Sequence, residues 1–256
     1  MCSSASDKVS ARHECSAKGA EHLRIAAITP FTTIDYPGKL AAVAFVQGCP
    51  WKCLYCHNPW MQSREYAVGL EHSDWGALTE LIQRRKGLLD AVVFSGGEPC
   101  LDPALASAVR WVKQQGMLVG IHTSGAYPSH LADVIDQVDW IGLDVKGPPE
   151  DVKLFDRITG RSGSVNHFLE SFRIIRRCGI EFEARTTAHP DFLSEEKIFE
   201  IAQWLVGQGV QTFALQIFRP APGVDMSLER VDASYPSPDL IAELGQMFKS
   251  FTLRRE

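Results

Sequence analysis

From Leu23 to the C-terminus, short apolar runs alternate with amphipathic stretches. Six runs are nearly continuous in apolar residues: 41–47, 91–95, 117–122, 140–144, 181–187 and 212–217. Continuity over such a length predicts parallel strands covered on both faces. The stretches between them repeat apolar residues at helical spacing. Asp102-Pro103 offers a cap and a first-turn proline ahead of Leu105, Ala108, Val109 and Val112, with Gly116 as the stop. Ser194-Glu195-Glu196 puts a cap and two acids at the positive end of a helix whose apolar face is Ile198, Ile201, Ala202 and Leu205. Residues 74–86, 129–137 and 165–177 predict further helices, and Ser237-Pro238 opens a terminal one reaching about Phe251.

Strand then helix, about six times over, gives an α/β fold with a parallel sheet and outer helices. The pattern is met equally by an open sheet and by an incomplete barrel. Residues 1–22 are small and polar without an apolar period, so a flexible N-terminal extension is expected there, followed by one domain over 23–256. Segment 145–164 reads as a long connection without structure, and long loops in compact domains are often functional.

The composition changes this picture little. The chain has 256 residues, 45% hydrophobic and 22% charged, an ordinary globular mix. The balance of 26 basic and 31 acidic residues, 26 − 31 = −5, excludes a protein whose affinity rests on neutralising phosphates, so no nucleic-acid partner is expected. The longest apolar run, 40–46, is far short of the ~20 residues of a membrane helix, and the N-terminus lacks a signal-peptide core. A soluble cytoplasmic protein, with no membrane partner, is expected.

The seven cysteines change it more: Cys2, Cys15, Cys49, Cys53, Cys56, Cys100 and Cys178. An odd count without a signal peptide fits reduced thiols. Cys49, Cys53 and Cys56 fall on one short loop after the first strand. Zinc would want a fourth ligand, and His57 is too close to Cys56 to share a tetrahedral ion comfortably. A four-iron cluster takes one thiolate per iron and is left with one open iron that can chelate a substrate. Both metals stand on spacing alone. Cys100 and Cys178 read as buried small apolar residues.

Ligands collect at the carboxyl ends of parallel strands. The unusual residues sit there: the cysteine loop, then Ser95-Gly96-Gly97-Glu98-Pro99, then His122-Thr123-Ser124-Gly125, then Asp144-Val145-Lys146. Four successive strand ends of this kind predict one shared site. The glycine pair reads either as room for a ligand at the backbone or as a tight turn, and Glu98 is able to pair with an ammonium group. Asp144 and Lys146 fit ribose and carboxylate recognition, or a plain surface ion pair. Arg185, inside the fifth apolar run, needs a partner because unpaired buried charge is expensive. Trp51, Tyr55 and Trp60 read as cover for the cysteine loop or as core, and His122 and His189 as hydrogen-bonded structural residues.

The three-cysteine spacing followed by the Gly-Gly-Glu turn resembles the radical S-adenosylmethionine (SAM) superfamily. Ile34-Asp35-Tyr36-Pro37-Gly38-Lys39, Val46-Gln47-Gly48-Cys49 and Cys56-His57-Asn58-Pro59 resemble the glycyl-radical-enzyme activases, and among these most nearly the anaerobic ribonucleoside-triphosphate reductase activating proteins. The likeness runs from Ile25 to about Pro220. It implies a partial (β/α)6 barrel with one four-iron four-sulfur cluster held by Cys49, Cys53 and Cys56, and SAM on the open iron. It further implies Tyr55 and His57 near the adenine, and Gly96, Gly97 and Glu98 at the methionine amino group. Ser124, Asp144, Lys146 and Arg185 would hold carboxylate and ribose. Where related activases carry a ribose-side histidine this chain has Gln216, with Arg219 nearby, and where they have an aspartate after the third strand it has His122, which puts an alkali-cation site in doubt. No catalytic side chain beyond the cofactors is implied. In the family an electron from the reduced cluster cleaves SAM, and the resulting 5′-deoxyadenosyl radical takes a hydrogen from a glycine of a partner enzyme, here expected to be an anaerobic ribonucleotide reductase. Reduced flavodoxin or ferredoxin is the implied electron donor. The alternatives are a pyruvate formate-lyase-type activase, a small-molecule radical SAM enzyme and a non-catalytic zinc-binding module. The run Phe155-Asp156-Arg157-Ile158-Thr159-Gly160 resembles a family loop near the mouth, expected to order when the partner docks.

Overall fold

The computed structural model describes residues 18–220 and 228–255. Eight strands form one sheet in chain order: β1 (Ile25–Thr32), β2 (Ala41–Val46), β3 (Ala91–Gly96), β4 (Leu118–Thr123), β5 (Trp140–Asp144), β6 (Glu181–Ala188), β7 (Thr212–Ile217) and β8 (Ser250–Arg254). β2 to β8 are parallel, while β1 runs antiparallel to β2. β1 and β8 are not paired with each other, so the barrel is incomplete and open on that side. The helices are α1 (Trp75–Arg84), α2 (Leu105–Gln114), α3 (Pro128–Val134), α4 (Val152–Thr159), α5 (Ser164–Cys178), α6 (Glu195–Gly207) and α7 (Pro238–Met247). Among the described residues no helix is long and apolar enough to cross a membrane.

The two faces of the sheet hold two different cores. Outward residues such as Val92, Phe94, Ile121, Ile141 and Leu215 pack beneath the helices in one large cluster. Inward, Ala41, Val43, Ala91 and Val93 meet Tyr36 and Trp140, whose rings stack at 5.1 Å. Towards the carboxyl ends of β3 to β7 the inward positions are polar: Ser95, His122, Asp144, Arg185 and Gln216 all line one cavity. The period of two along a strand therefore builds an apolar floor and a polar mouth from the same few strands.

All six expected strands form, to within a residue or two, and four corrections apply elsewhere. β1 and β8 are edge strands with exposed positions, so neither shows the continuous apolar run of a covered strand. The terminal helix stops at Met247 because Phe248 turns extended (φ −114°, ψ 146°) and is buried, its ring 5.1 Å from that of Phe213. Segment 145–164 contains α4, capped by Asp151 at its start and by Gly160 in left-handed conformation at its end. Residues 1–17 of the expected extension lie outside the described residues, whereas Ala20–His22 form a 3-10 turn ahead of the buried Leu23. Of the smaller expectations, α2 starts at Leu105, with Asp102 accepting from the Ala104 amide at 2.9 Å, and Cys178 is exposed at the end of α5 while Cys100 is buried.

Candidate functional site

The cysteine loop leaves β2 at Gly48, whose positive φ of 104° turns the chain across the strand ends. Three contacts fix the segment that follows it. Gln47, fully buried, donates through Nε2 to the carbonyls of Trp60, Ser63 and Glu65 at 3.1, 2.7 and 3.3 Å. Arg64 donates to the Gln47 carbonyl and to the buried Asp102, both at 2.6 Å. The amides of Gly48 and Cys49 donate to the carbonyls of Met61 and Gln62 at 2.8 and 3.0 Å.

The glycine pair after β3 is demanded by backbone packing. A β-carbon on Gly97 would lie 2.2 Å from the Gly48 carbonyl oxygen, and one on Gly96 (φ +116°) would lie 2.4 Å from the Val46 nitrogen. Both glycines nevertheless line the cavity. Glu98 does not. Its carboxylate is fully buried below the mouth and accepts from Cys100 N, Thr123 Oγ1, Ser124 N and Ser124 Oγ at 3.1, 2.8, 2.9 and 2.6 Å. It ties the end of β3 to the end of β4, and so positions Ser124.

Asp144, Lys146 and Arg185 form one charged group in the cavity wall. Lys146 Nζ lies 3.0 Å from Asp144 Oδ2 and Arg185 Nε lies 3.3 Å from Asp144 Oδ1. Burial alone would raise the Asp144 carboxyl, but Lys146 and Arg185 together hold it below the usual range. Burial would lower the Lys146 pKa, but the charge and hydrogen bond of Asp144, with Tyr55 and Cys53 beside it, together hold it well above the ordinary lysine value. With side chains 12% and 31% exposed, Lys146 and Asp144 are no free surface pair.

Aromatic rings close another wall. Tyr55 stacks on Phe192 at 5.1 Å, His57 tilts against Phe218 at 5.6 Å, and Lys146 Nζ sits 5.5 Å from the Tyr55 ring centre. His189 lies behind, between Phe192 and Phe218, bonded to the Glu229 carbonyl. His122 Nε2 meets the Asp35 carbonyl at 2.7 Å; burial, then Arg185, lowers its pKa to about 3, so it is a neutral imidazole that also lines the cavity.

The cavity encloses about 250 Å³ and brings together Cys49, Cys53, Cys56, Tyr55, His57, Gly96, Gly97, Ser124, Asp144, Lys146, Arg185 and Gln216. Trp51 lines it too, with its indole edge-on to Phe155 at 6.2 Å. Seven lining residues were not singled out as ligands from sequence: Asp35, Trp51, Asn58, Gln62, Ser95, His122 and Thr187. Thr187 follows Arg185 by two and was available from strand alternation; Gln62 carries no signal of its own.

The lining fits a charged, polar molecule beside a thiolate-bound metal group. Tyr55 OH and His57 Nε2 are buried without a hydrogen-bond partner, which is costly unless a ligand supplies one, while Arg185 Nε has only its ion pair with Asp144. Burial pushes the Cys49 thiol up and the Cys53 thiol to about 11, so both need an adjacent positive charge to ionise, which a metal cluster brings. Among the described residues no three His, Cys, Asp or Glu side chains are gathered so as to hold a single metal ion.

Comparison with known proteins bears on the same residues. Residues 43–205 match the radical SAM superfamily. A Methanocaldococcus jannaschii protein carrying the name glycyl-radical enzyme activating enzyme is 30% identical over 89% of this chain and 92% of its own length. The pyruvate formate-lyase-activating enzyme of Clostridium pasteurianum is 30% identical over 70% and 74%. Among solved structures, QueE from Escherichia coli is similar with a TM-score of 0.56 at 17% identity, over 91% of this chain and 94% of QueE. Streptococcus suis SuiB bound to its precursor peptide SuiA gives 0.67 at 12% identity; this chain matches it over 83% of its own length and spans about half of SuiB, 48%. These two likenesses concern the fold.

Proposed function

The chain belongs to the radical SAM superfamily, among its glycyl-radical-enzyme activating members, and we propose that it cleaves SAM reductively to install a glycyl radical on an anaerobic ribonucleotide reductase. One observation carries the site reading: three thiols, a charged Asp144–Lys146–Arg185 group and the unpartnered buried Tyr55 OH and His57 Nε2 surround a single cavity.

In this reading Cys49, Cys53 and Cys56 hold the four-iron cluster. When bound, such a cluster supplies the electron that splits the sulfonium and leaves a radical able to take a hydrogen atom. The protein's own residues do the rest. Lys146 and Arg185 offer cations to the SAM carboxylate, and Asp144, held ionised between them, accepts from ribose hydroxyls. Gly96, Gly97 and Ser124 face the methionine end, with Glu98 acting through Ser124. Tyr55 and His57 flank the adenine with their unpartnered atoms, and Gln216 reaches the ribose side from β7. The aromatic wall excludes water.

The resemblance to reductase activating proteins, taken over Ile34–Lys39, Val46–Cys49 and Cys56–Pro59 together, supports the reductase as partner, while the Clostridium pasteurianum relative supports a pyruvate formate-lyase. A reduced flavodoxin or ferredoxin is the proposed electron source. The test is anaerobic incubation with SAM, reductant and each candidate partner in turn. A glycyl-radical doublet in electron paramagnetic resonance on the reductase supports the assignment. A doublet on the lyase alone reassigns the partner, and the absence of a doublet on both contradicts either partner assignment.

A further inference from the structure

The last four carbonyls of a helix have no partner within it. In α4 all four are satisfied, two of them by the cysteine loop. Asp156 O accepts from Arg161 N at 3.2 Å and Arg157 O from Gly160 N at 3.3 Å. Ile158 O accepts from Leu54 N at 3.1 Å, and Thr159 O from Lys52 N at 2.8 Å. Lys52 and Leu54 flank Cys53, so the backbone of that cysteine is pinned on both sides by the end of one helix.

The fit depends on the residue after the helix. Gly160 has φ +63°, and a β-carbon there would lie 2.9 Å from Lys52 O and 3.3 Å from Lys52 Cβ. The helix itself is held firmly. Phe155, Ile158 and Thr159 are fully buried, and Asp156 accepts from the amides of Gly163 and Ser164 at 2.7 and 3.0 Å, which caps α5. Phe155 also meets Trp51, on the same loop, edge-on.

We propose that Gly160 is a positioning residue that lets the C-terminal end of α4 brace the cysteine loop and set where Cys53 stands in the cavity. The proposal rests on the reading of Cys49, Cys53 and Cys56 as cluster ligands. It replaces the expectation that residues 155–160 order only when a partner docks, because this run is already a buried, capped helix end.

Two alanine variants separate the brace from backbone strain. Gly163 also has a positive φ, +74°, but nothing lies within 4 Å of where its β-carbon would sit. Gly160→Ala and Gly163→Ala therefore share the cost of a left-handed alanine, and only the first presses on Lys52. Residue-resolved hydrogen exchange on the anaerobically prepared protein is the first readout. Gly160→Ala should speed exchange at the Lys52 and Leu54 amides about tenfold or more relative to Gly163→Ala, with β2 unchanged. The second readout is the paramagnetic resonance shift of the reduced cluster on SAM addition, altered in Gly160→Ala and unaltered in Gly163→Ala. Equal exchange and equal spectra in the two variants would overturn the proposal. Should Gly160→Ala fail to fold, the wild-type protein decides: under mild denaturant Lys52 and Leu54 should open together with the amides of α4, and exchange at unprotected rates would overturn the brace. A wild-type protein without any four-iron signal overturns the cluster reading instead, whatever the amides do.

Discussion

A β-carbon on Gly142 would lie 2.5 Å from Cζ of Arg185, so the side chain missing from β5 is the space that the guanidinium on β6 occupies. The two residues sit on neighbouring parallel strands, and Arg185 Nη2 donates to the Gly142 carbonyl at 3.3 Å. A glycine inside a strand costs stability; here it admits a buried cation to the cavity wall beside Asp144.

Gly142→Ala should therefore displace Arg185. The expected result is SAM affinity weakened about tenfold or more, together with about 1–3 kcal/mol of lost stability from overpacking. Calorimetric titration with SAM and urea unfolding measure the two effects. Unchanged affinity would remove Arg185 from the binding group.

Lys146→Ala should weaken SAM binding and spare the iron. Lys146 touches Asp144 and the Tyr55 ring, and neither contact is to a cysteine. Iron analysis beside SAM titration checks this, and loss of iron would mean that Lys146 serves the cluster loop.

Glu98→Gln should destabilise the fold by about 1–3 kcal/mol, because an amide NH2 would replace a carboxylate oxygen that accepts from the end of β4 or from Cys100 N. SAM affinity should fall with it through Ser124. A stability change without any change in affinity would confine Glu98 to the fold.

His122 makes the protein acid-sensitive. Its folded pKa is about 3 and an unfolded histidine titrates near ~6.5, so the unfolded chain takes up the proton first. The stability it contributes is complete above ~6.5 and is lost as pH falls from there towards 3. The urea midpoint should drop between pH 7.5 and pH 5, and His122→Gln should flatten that drop by about 2 kcal/mol. Parallel profiles for the two proteins would contradict this.

Much of this was legible in the sequence, for physical reasons that differ from part to part. Strands β2 to β7 are covered on both faces and so appear as apolar runs, and the cysteine spacing marks a metal site without by itself choosing between zinc and iron. The edge strands β1 and β8 bury too little to leave such a mark. α4 is only eight residues long, but Leu154, Phe155 and Ile158 at helical spacing and the caps Asp151 and Gly160 all stood in the sequence as its signals. At Gly96 and Gly97 sequence offered a ligand cradle or a tight turn; the crossing backbones of Val46 and Gly48 demand glycine there, and the cavity still uses the surface. Glu98 shows the limit of motif reading, since its spacing marks the site while its burial and four donors set its role.

The most direct measurement is electron paramagnetic resonance on the anaerobically reconstituted, reduced protein, with and without SAM, alongside Cys53→Ala. The account predicts a reduced four-iron signal that shifts when SAM is added, slow formation of 5′-deoxyadenosine, and loss of both in a Cys53→Ala protein that keeps its far-ultraviolet dichroism. Tightly bound zinc with no such signal, or wild-type SAM cleavage by Cys53→Ala, would contradict it.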